Sequence, residues 1–196
     1  MEEFEVIIIG GGPGGYAAAV RSSESGLKTA LIEKEKLGGV CVNHGCTPTK
    51  TMLRYAGLVN QKALSKTYDL LYENIPEDYR TAHTRSFEIA ERQGKRIKGI
   101  LEKSRVVVFR GNARLTGRTK VEIQPSGKRI FGKNIIIATG SSASQIAGVE
   151  YDEKNIVTYR GALGFDEAPS SAVVLGSGAT GVEFATLWNH FGSKVI

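Results

Sequence analysis

Cysteine is scarce in this sequence, with only Cys41 and Cys46 among 196 residues. Small secreted disulfide scaffolds carry more cysteines, so this pair is typical of redox chemistry or of a metal site. Long apolar runs are also lacking, because none approaches the ~20 residues of a membrane span. The acidic start at residues 1–3 leads into a strand pattern and not into a signal peptide. We therefore expect a soluble, cytoplasmic protein with no membrane partner.

Glycine, in contrast, is abundant. The chain has 24 glycines, about 12% of its residues against a usual ~7%. With 41% hydrophobic and 23% charged residues, the composition is globular and excludes disordered, collagen-like and coiled-coil proteins. A chain of this length holds one complete core, or one core and part of a second.

Positive charge is concentrated in one block of the sequence. The net charge is +6, yet the block from Arg80 to Lys133 holds 15 basic and only 4 acidic residues. These charges alternate with apolar residues at regular spacing, which is typical of solvated faces. An acidic ligand or partner is the alternative, and nucleic-acid binding is not expected.

The N-terminal segment has the pattern of a βαβ unit. Glu5–Gly10 predicts a strand buried on both faces, Tyr16–Ser25 a helix, and Leu27–Glu33 a second strand. The helix begins just after a glycine-rich turn, which is where such units bind dinucleotides.

The turn in this unit carries the spacing Gly10-x-Gly12-x-x-Gly15. Glycines at these positions permit a tight turn, the approach of a pyrophosphate and close packing of the helix. Glu33 lies 23 residues after Gly10, at the end of the second strand, where a carboxylate accepts hydrogen bonds from an adenosine ribose. We predict a dinucleotide site here, and a plain glycine turn is the alternative.

The middle of the chain combines helices and short strands. Apolar spacing predicts amphipathic helices over 48–64 and 85–102, with a loop over 68–80 between them. Three short strands follow and predict an antiparallel meander, at Val106–Phe109, Thr119–Ile123 and Arg129–Phe131. Asn134–Gly140 then predicts another buried strand that stops at a glycine.

The C-terminal segment repeats the N-terminal pattern. A strand over Ala172–Gly176 opens the loop Gly176-x-Gly178-x-x-Gly181, which a helix to Phe191 and a new strand from Lys194 follow. Residues 141–148 are rich in Ser, Ala and Gly and predict a linker. The prediction is an α/β fold with a first domain over 1–148 and the start of a second over 149–196.

The segment Gly38–Lys50 holds both cysteines, five positions apart. On an undistorted helix their Cα atoms would be about 8 to 9 Å apart, whereas a disulfide needs roughly 4.4 to 6.8 Å. A bonded pair therefore requires a bend, which Gly45 permits, and Pro48 can restart a helix. A bridge over so short a loop adds little stability, which suits a bond that is reduced in function. The alternatives are a passive bridge and a metal site with three ligands, Cys41, His44 and Cys46.

Four motifs in this order resemble the pyridine nucleotide-disulfide oxidoreductases, a flavoprotein family. They are the glycine loop of 10–15, the Gly-Gly-x-Cys-x-Asn-x-Gly-Cys-x-Pro-x-Lys block of 38–50, the Ala-Thr-Gly of 138–140 and the segment 176–185. The resemblance covers nearly the whole chain and implies the N-terminal portion of such a protein. It also implies a Rossmann-like FAD-binding domain with an antiparallel β-meander, followed by the start of a Rossmann-like domain for NAD or NADP.

The resemblance assigns roles to individual side chains. Cys46 would be the charge-transfer thiol beside the flavin, and Cys41 the interchange thiol that attacks the substrate. Lys50 would lie near the flavin and pair with Glu183, although exposed surface charge is the ordinary role of both residue types. These four residues form the predicted catalytic set. The residues predicted to bind the cofactors are Gly10, Gly12, Pro13, Gly14, Gly15, Glu33, Lys34, Gly39, Val40, Cys41, Lys50, Asn112, Ala113, Ala138, Thr139, Gly140, Ser141, Gly176, Gly178, Ala179 and Gly181.

The implied activity is that of an FAD-dependent disulfide oxidoreductase. Electrons would pass between NAD(P)H and a small or protein-bound disulfide or dithiol through the Cys41–Cys46 pair. Dihydrolipoamide dehydrogenase-like chemistry is the first choice, and mercuric reductase-like chemistry is the alternative. Other outcomes are a flavin oxidase or monooxygenase with incidental cysteines, and a truncated FAD-binding chain without turnover. The resemblance implies a homodimer at full length, and the sequence does not choose between NADH and NADPH.

Overall fold

The computed structural model describes residues 2–67 and 78–196, which form two compact units. The first unit comprises the described residues up to Asn43 together with Glu91–Ser142, and the second comprises those of 44–90 together with Ala143–Ile196. The predicted domain division after residue 148 stays a prediction. No helix in the described ranges is long and apolar enough to span a membrane.

The first unit is built on one six-stranded sheet. Its strands are β1 Glu2–Ile9, β2 Thr29–Glu33, β3 Val107–Arg110, β4 Asn112–Leu115, β5 Lys120–Gln124 and β6 Lys128–Ile137. They lie in the order β3-β2-β1-β6-β5-β4, in which β3, β2, β1 and β6 are parallel and β6, β5 and β4 are antiparallel. This is the predicted Rossmann-like sheet with an antiparallel meander.

In the described ranges, six helices accompany the strands. They are α1 Pro13–Glu24, α2 Gly39–His44, α3 Cys46–Thr67, α4 Tyr79–Lys103, α5 Tyr159–Gly164 and α6 Ala179–His190. In the first unit, two buried clusters fill the core. One contains Phe4, Ile7, Val121 and Ile130, and the other contains Ile8, Leu31, Ile97 and Leu101.

One strand was wrongly predicted to belong to the antiparallel meander. The run from Val106 was placed in the antiparallel meander, but β3 pairs with β2 in parallel. The chain reaches β3 from β2 through a helical crossover that ends with α4, and such a crossover returns a strand in the parallel direction.

A second difference concerns the strand at 128–137. Arg129–Phe131 and Asn134–Gly140 were predicted as separate strands, but they join in β6. Gly132 stays inside the strand because the side chain of Ile7 lies where a Cβ would be, 2.7 Å from Ile7 Cδ1, so this glycine marks close packing and not a turn. The carboxyl end is also less buried than predicted, with Ile137 64% exposed, because β5 pairs with β6 only as far as Phe131.

The long helices begin earlier than predicted. α3 begins at Cys46, with Pro48 inside its first turn, where the missing proline N–H costs no helical hydrogen bond. α4 begins at Tyr79 because Asp78 accepts hydrogen bonds from Arg80 N at 3.1 Å and from Thr81 N at 2.9 Å and so caps the helix. The rest of the predicted loop, residues 68–77, lies outside the described residues.

The second unit contains α3, α5, α6 and a two-stranded parallel sheet. Its strands, β7 Ser171–Ala172 and β8 Lys194–Val195, pair as the repeated βαβ pattern requires. β7 is shorter than the predicted strand, and Val173 and Leu175 are each 69% exposed. Among the described residues of this unit, the large buried side chains include a hydrophobic cluster of Met52, Ala56, Tyr79, Ala162, Leu163, Phe184, Leu187 and Trp188.

Candidate functional site

The first glycine loop is shaped by two positions at which no side chain fits. Gly10 has φ +105°, and a Cβ there would overlap the carbonyl oxygen of Ala138. A Cβ at Gly15 would overlap the carbonyl oxygen of Gly10. Gly15 therefore lets the first turn of α1 pack directly on the end of β1, as the fingerprint predicts.

The N-terminal end of α1 is open to an anion. Its N-cap is Gly12, which provides no side-chain cap, and the first turn contains no acidic residue. Pro13 occupies the start of the helix, and Gly14 is exposed. The first N–H groups of a helix have no partner within it and carry a partial positive charge, so these residues fit a pyrophosphate.

Glu33 lies at the end of β2 and contacts the loop directly. Its Oε2 accepts a hydrogen bond from Gly11 N at 2.6 Å, and its Oε1 accepts one from Glu35 N at 2.7 Å. The backbone N–H of Gly111 donates to the Glu33 carbonyl at 3.0 Å. This bond brings the start of β4, with Asn112 and Ala113 of the predicted cofactor-binding set, close to Glu33.

The segment that leads to the cysteines is attached to the same loop. Gly38 N donates to the Gly11 carbonyl at 2.8 Å. A Cβ at Gly39 would lie only 2.7 Å from the Cα of Gly12, so the two backbones meet without an intervening side chain. Val40 and Cys41 follow in α2, and both are partly buried. The fold thus places the Cys41 helix beside the predicted pyrophosphate loop.

In the second unit, the structure brings Lys50 and Glu183 together. Cys46 is exposed and is the first residue of α3, and Lys50 follows one turn later. Lys50 Nζ lies 2.6 Å from Glu183 Oε1 on α6, with the two side chains 58% and 25% exposed. The predicted contact is present, while the role of the pair in a site stays a prediction.

The second glycine loop repeats the geometry of the first. Gly176 has φ +113°, and a Cβ at Gly181 would overlap the Gly176 carbonyl oxygen. The N-cap is Gly178, at φ −71° and ψ 173°, compared with −70° and −176° at Gly12. Ala179 begins α6, whose first turn has no acidic residue. This loop therefore also fits a dinucleotide.

Of the other predicted cofactor-binding residues, some contact the first loop and some are exposed to solvent. Ala138 lies against Gly10, whereas the residues after it are exposed, Thr139, Gly140 and Ser141. Lys34 is exposed as well. Among the residues that the structure describes, no three His, Cys, Asp or Glu side chains lie close enough to hold a metal ion.

Comparison with known proteins assigns the family. The model of the family described as pyridine nucleotide-disulphide oxidoreductase matches residues 4–196. The chain belongs to this family. Its members bind FAD and a nicotinamide dinucleotide, which agrees with the two glycine loops. The predicted family and fold class are confirmed.

Similar sequences include the dihydrolipoyl dehydrogenases of Chlorobaculum tepidum and Zymomonas mobilis. The first is 44% identical over 98% of this chain, and the second is 40% identical over 99% of it. The chain spans 42% of the length of each of these two relatives.

Similar solved structures include two longer chains. One is the Cu(II) complex of the HOCl-induced flavoprotein disulfide reductase RclA from Escherichia coli, with 28% identity and a TM-score of 0.82. The other is LpdA from Mycobacterium tuberculosis, with 26% identity and a TM-score of 0.85. Each match covers 100% of this chain, and 42% and 44% of the respective solved chains.

Proposed function

We propose that this chain is the FAD- and thiol-bearing portion of an NAD(P)-dependent disulfide oxidoreductase of the dihydrolipoyl dehydrogenase type. The balanced reaction transfers two electrons and a proton from NAD(P)H, with a second proton from solvent, to a disulfide, which becomes a dithiol. The reverse reaction oxidises a dithiol. Bound FAD supplies the exchange between hydride and thiol electrons.

One observation carries this proposal. Gly39, which begins the helix of Cys41, lies against Gly12 of the loop that fits a pyrophosphate. In this proposal, a thiol and a dinucleotide are therefore held by adjoining backbone segments of one compact unit. This arrangement is what thiol chemistry coupled to a dinucleotide requires, and it explains why both segments are rich in glycine.

The residues of the first loop have distinct tasks in this proposal. The N–H groups at the start of α1 hold the pyrophosphate, and the missing Cβ at Gly12 lets it approach. Glu33 binds the adenosine ribose after exchanging its bond to Gly11 N for one from a ribose hydroxyl. Asn112 and Ala113 present backbone groups to the adenine.

In this proposal the two thiols have different roles in the reduction of the substrate. Cys41 attacks the substrate disulfide, which forms a mixed disulfide and releases one substrate thiol. Cys46 then attacks Cys41 Sγ, which releases the second thiol and leaves the Cys41–Cys46 disulfide. Lys50 and Glu183 connect the Cys46 helix with the helix of the second glycine loop, which we assign to NAD or NADP.

The test is a turnover assay on the full-length protein loaded with FAD. Wild-type protein should reduce lipoamide with NADH or NADPH, and the variants Cys41→Ser and Cys46→Ser should each lose this activity. Oxidase activity that survives in both serine variants, without any lipoamide reduction in the wild type, would reject the proposal in favour of a flavin oxidase.

The same assay separates the two substrate predictions. Mercuric ion would bind the same pair of thiolates, so mercuric reduction that greatly exceeds lipoamide reduction supports the mercuric reductase-like alternative. We also propose a homodimer at full length and a cytoplasmic location. Sedimentation of the full-length protein and cell fractionation are the respective measurements.

A further inference from the structure

Asn43 makes an unusual set of hydrogen bonds beside the first glycine loop. Its side chain is only 8% exposed, and Nδ2 lies 2.9 Å from the carbonyl oxygen of Gly39, 3.1 Å from that of Leu37 and 3.4 Å from that of Lys36. An amide nitrogen has two hydrogens, so three carbonyls share two donors. One buried amide thus holds three of the four carbonyls of the turn 36–39.

This turn is also the segment attached to the dinucleotide loop. Gly38 donates to the Gly11 carbonyl, and Gly39 lies against Gly12. Gly38 and Gly39 have φ +95° and +57°, conformations that other residues rarely adopt. Three carbonyls that converge on one point repel each other unless a donor lies between them, and Asn43 provides that donor.

We infer that Asn43 is a positioning residue, which fixes the turn 36–39 on the glycine loop and thereby sets both the affinity for FAD and the accessibility of Cys41. Its bond to the Gly39 carbonyl spans the first turn of α2, the helix that carries Cys41. The inference rests on the proposed function, because it assigns FAD to this loop. It adds a residue to which the sequence motif itself gave no role.

Two variants remove the donor in different ways. Asn43→Asp keeps the shape of the side chain but places a carboxylate among three carbonyl oxygens, and Asn43→Ala removes the group. A buried acceptor left without a donor is costly, so we expect the Kd for FAD to rise at least tenfold in both variants. Asn134→Ala is the matched control, because Asn134 Nδ2 donates to a single carbonyl, that of Glu5 at 3.2 Å, in the same unit. Its Kd should stay within about twofold of the wild type.

The readouts separate positioning from a purely structural role. FAD binding to flavin-free protein is followed by quenching of flavin fluorescence, and thermal unfolding is measured with and without a fixed excess of FAD. A structural role lowers the Tm without FAD but leaves the FAD-induced rise unchanged, whereas the positioning role reduces that rise. In the reduced protein, iodoacetamide should alkylate Cys41 faster in the Asn43 variants than in Asn134→Ala.

The results of these experiments test the role of Asn43 separately from the proposed function. If wild-type protein binds no FAD, both fail. If wild-type protein binds FAD and Asn43→Asp binds it within about twofold, with an unchanged FAD-induced rise in Tm, the inference alone is overturned. Should Asn43→Asp not fold, Asn43→Ser decides, because its hydroxyl can keep only the bond to the Gly39 carbonyl. We expect an intermediate Kd for this variant, and a wild-type Kd overturns the inference.

Discussion

At the residue scale, the two glycine loops are defined by side chains that are absent. Gly15 and Gly181 each lie against the carbonyl oxygen five residues earlier, with no room for a Cβ. A Cβ at Gly14, in contrast, would meet open space, and this glycine lies within α1. Neighbouring glycines of one motif therefore have different physical roles, and substitution distinguishes them.

We predict different effects of alanine on stability at two adjacent glycines. Gly15→Ala forces the start of α1 away from β1 and should lower the free energy of unfolding by about 2 kcal/mol. Gly14→Ala should leave it unchanged or raise it by about 0.5–1 kcal/mol, because alanine favours the helix. Urea denaturation of the flavin-free protein checks both values, and equal destabilisation by the two substitutions would contradict the close packing of α1 on Gly10.

The Lys50–Glu183 pair should matter more for turnover than for stability. Lys50 is 58% exposed, so Glu183→Gln should lower the free energy of unfolding by less than about 1 kcal/mol. In the full-length protein the same variant should lower kcat about tenfold or more, about 1.4 kcal/mol, if the pair joins the Cys46 helix to the nucleotide helix.

A second ion pair provides the control for this experiment. Lys95 Nζ and Glu91 Oε1 are 2.7 Å apart on the surface of α4. Glu91→Gln should have a similarly small effect on stability and none on kcat. If Glu183→Gln also leaves kcat unchanged, the pair is only surface charge.

At the scale of elements, the features that could be predicted are mainly those that occur twice in the sequence. The βαβ pattern and both glycine loops were predictable, because glycine spacing and β-branched runs are local signals. The parallel pairing of β3 was not, since a strand of four residues contains no information about its partner. The continuity of β6 was also not predictable from the sequence. Glycine at position 132 is typical of a turn, but here it lies inside the strand because the side chain of Ile7 leaves no room for a Cβ.

In the candidate site, the motif residues could be predicted from the sequence, but the contacts between them could not. The motif identified Gly39 and Cys41, but it did not show that Glu33 would bind Gly11 N or that Asn43 would hold three carbonyls. Both depend on how the turn 36–39 folds back on the loop. The signal in the sequence was an asparagine between the two cysteines, in a segment rich in glycine.

The turn after Asp152 allows a prediction about pH. Hydrogen bonds from the backbone N–H groups of Ile156, Lys154 and Asn155 lower the pKa of Asp152 from 3.8 to about 2. Because the pKa is lower in the folded state, the carboxylate stabilises the turn above about pH 4, and this contribution is lost as the pH falls toward 2.

Carboxyl NMR resonances measure this directly. We expect the Asp152 carboxyl to titrate with a midpoint near 2. Asn155→Ala removes only the side-chain bond to Asp152 Oδ2 and should leave most of the shift in place. A midpoint of 3.8 in the unmodified protein would show that the backbone bonds of this turn do not form in solution.

At the scale of the whole molecule, the chain contains two copies of one glycine loop and helix, together with a segment that holds both cysteines. Each copy has a glycine at φ near +110°, a glycine N-cap and a helix of 12 residues. The copies fit one dinucleotide each, and the cysteine segment is attached to the first. A member of the pyridine nucleotide-disulphide oxidoreductase family with these parts should store electrons on its sulfurs as well as on its flavin.

An anaerobic reductive titration of the full-length, FAD-loaded protein tests this most directly. With dithionite as the reductant, wild-type protein should take up one more electron pair per flavin than Cys46→Ser, because only the wild type can form the proposed Cys41–Cys46 disulfide. The flavin absorbance should also change shape as that extra pair enters. Equal uptake by the two proteins, with no change in the flavin spectrum beyond reduction of the flavin itself, would contradict the assignment.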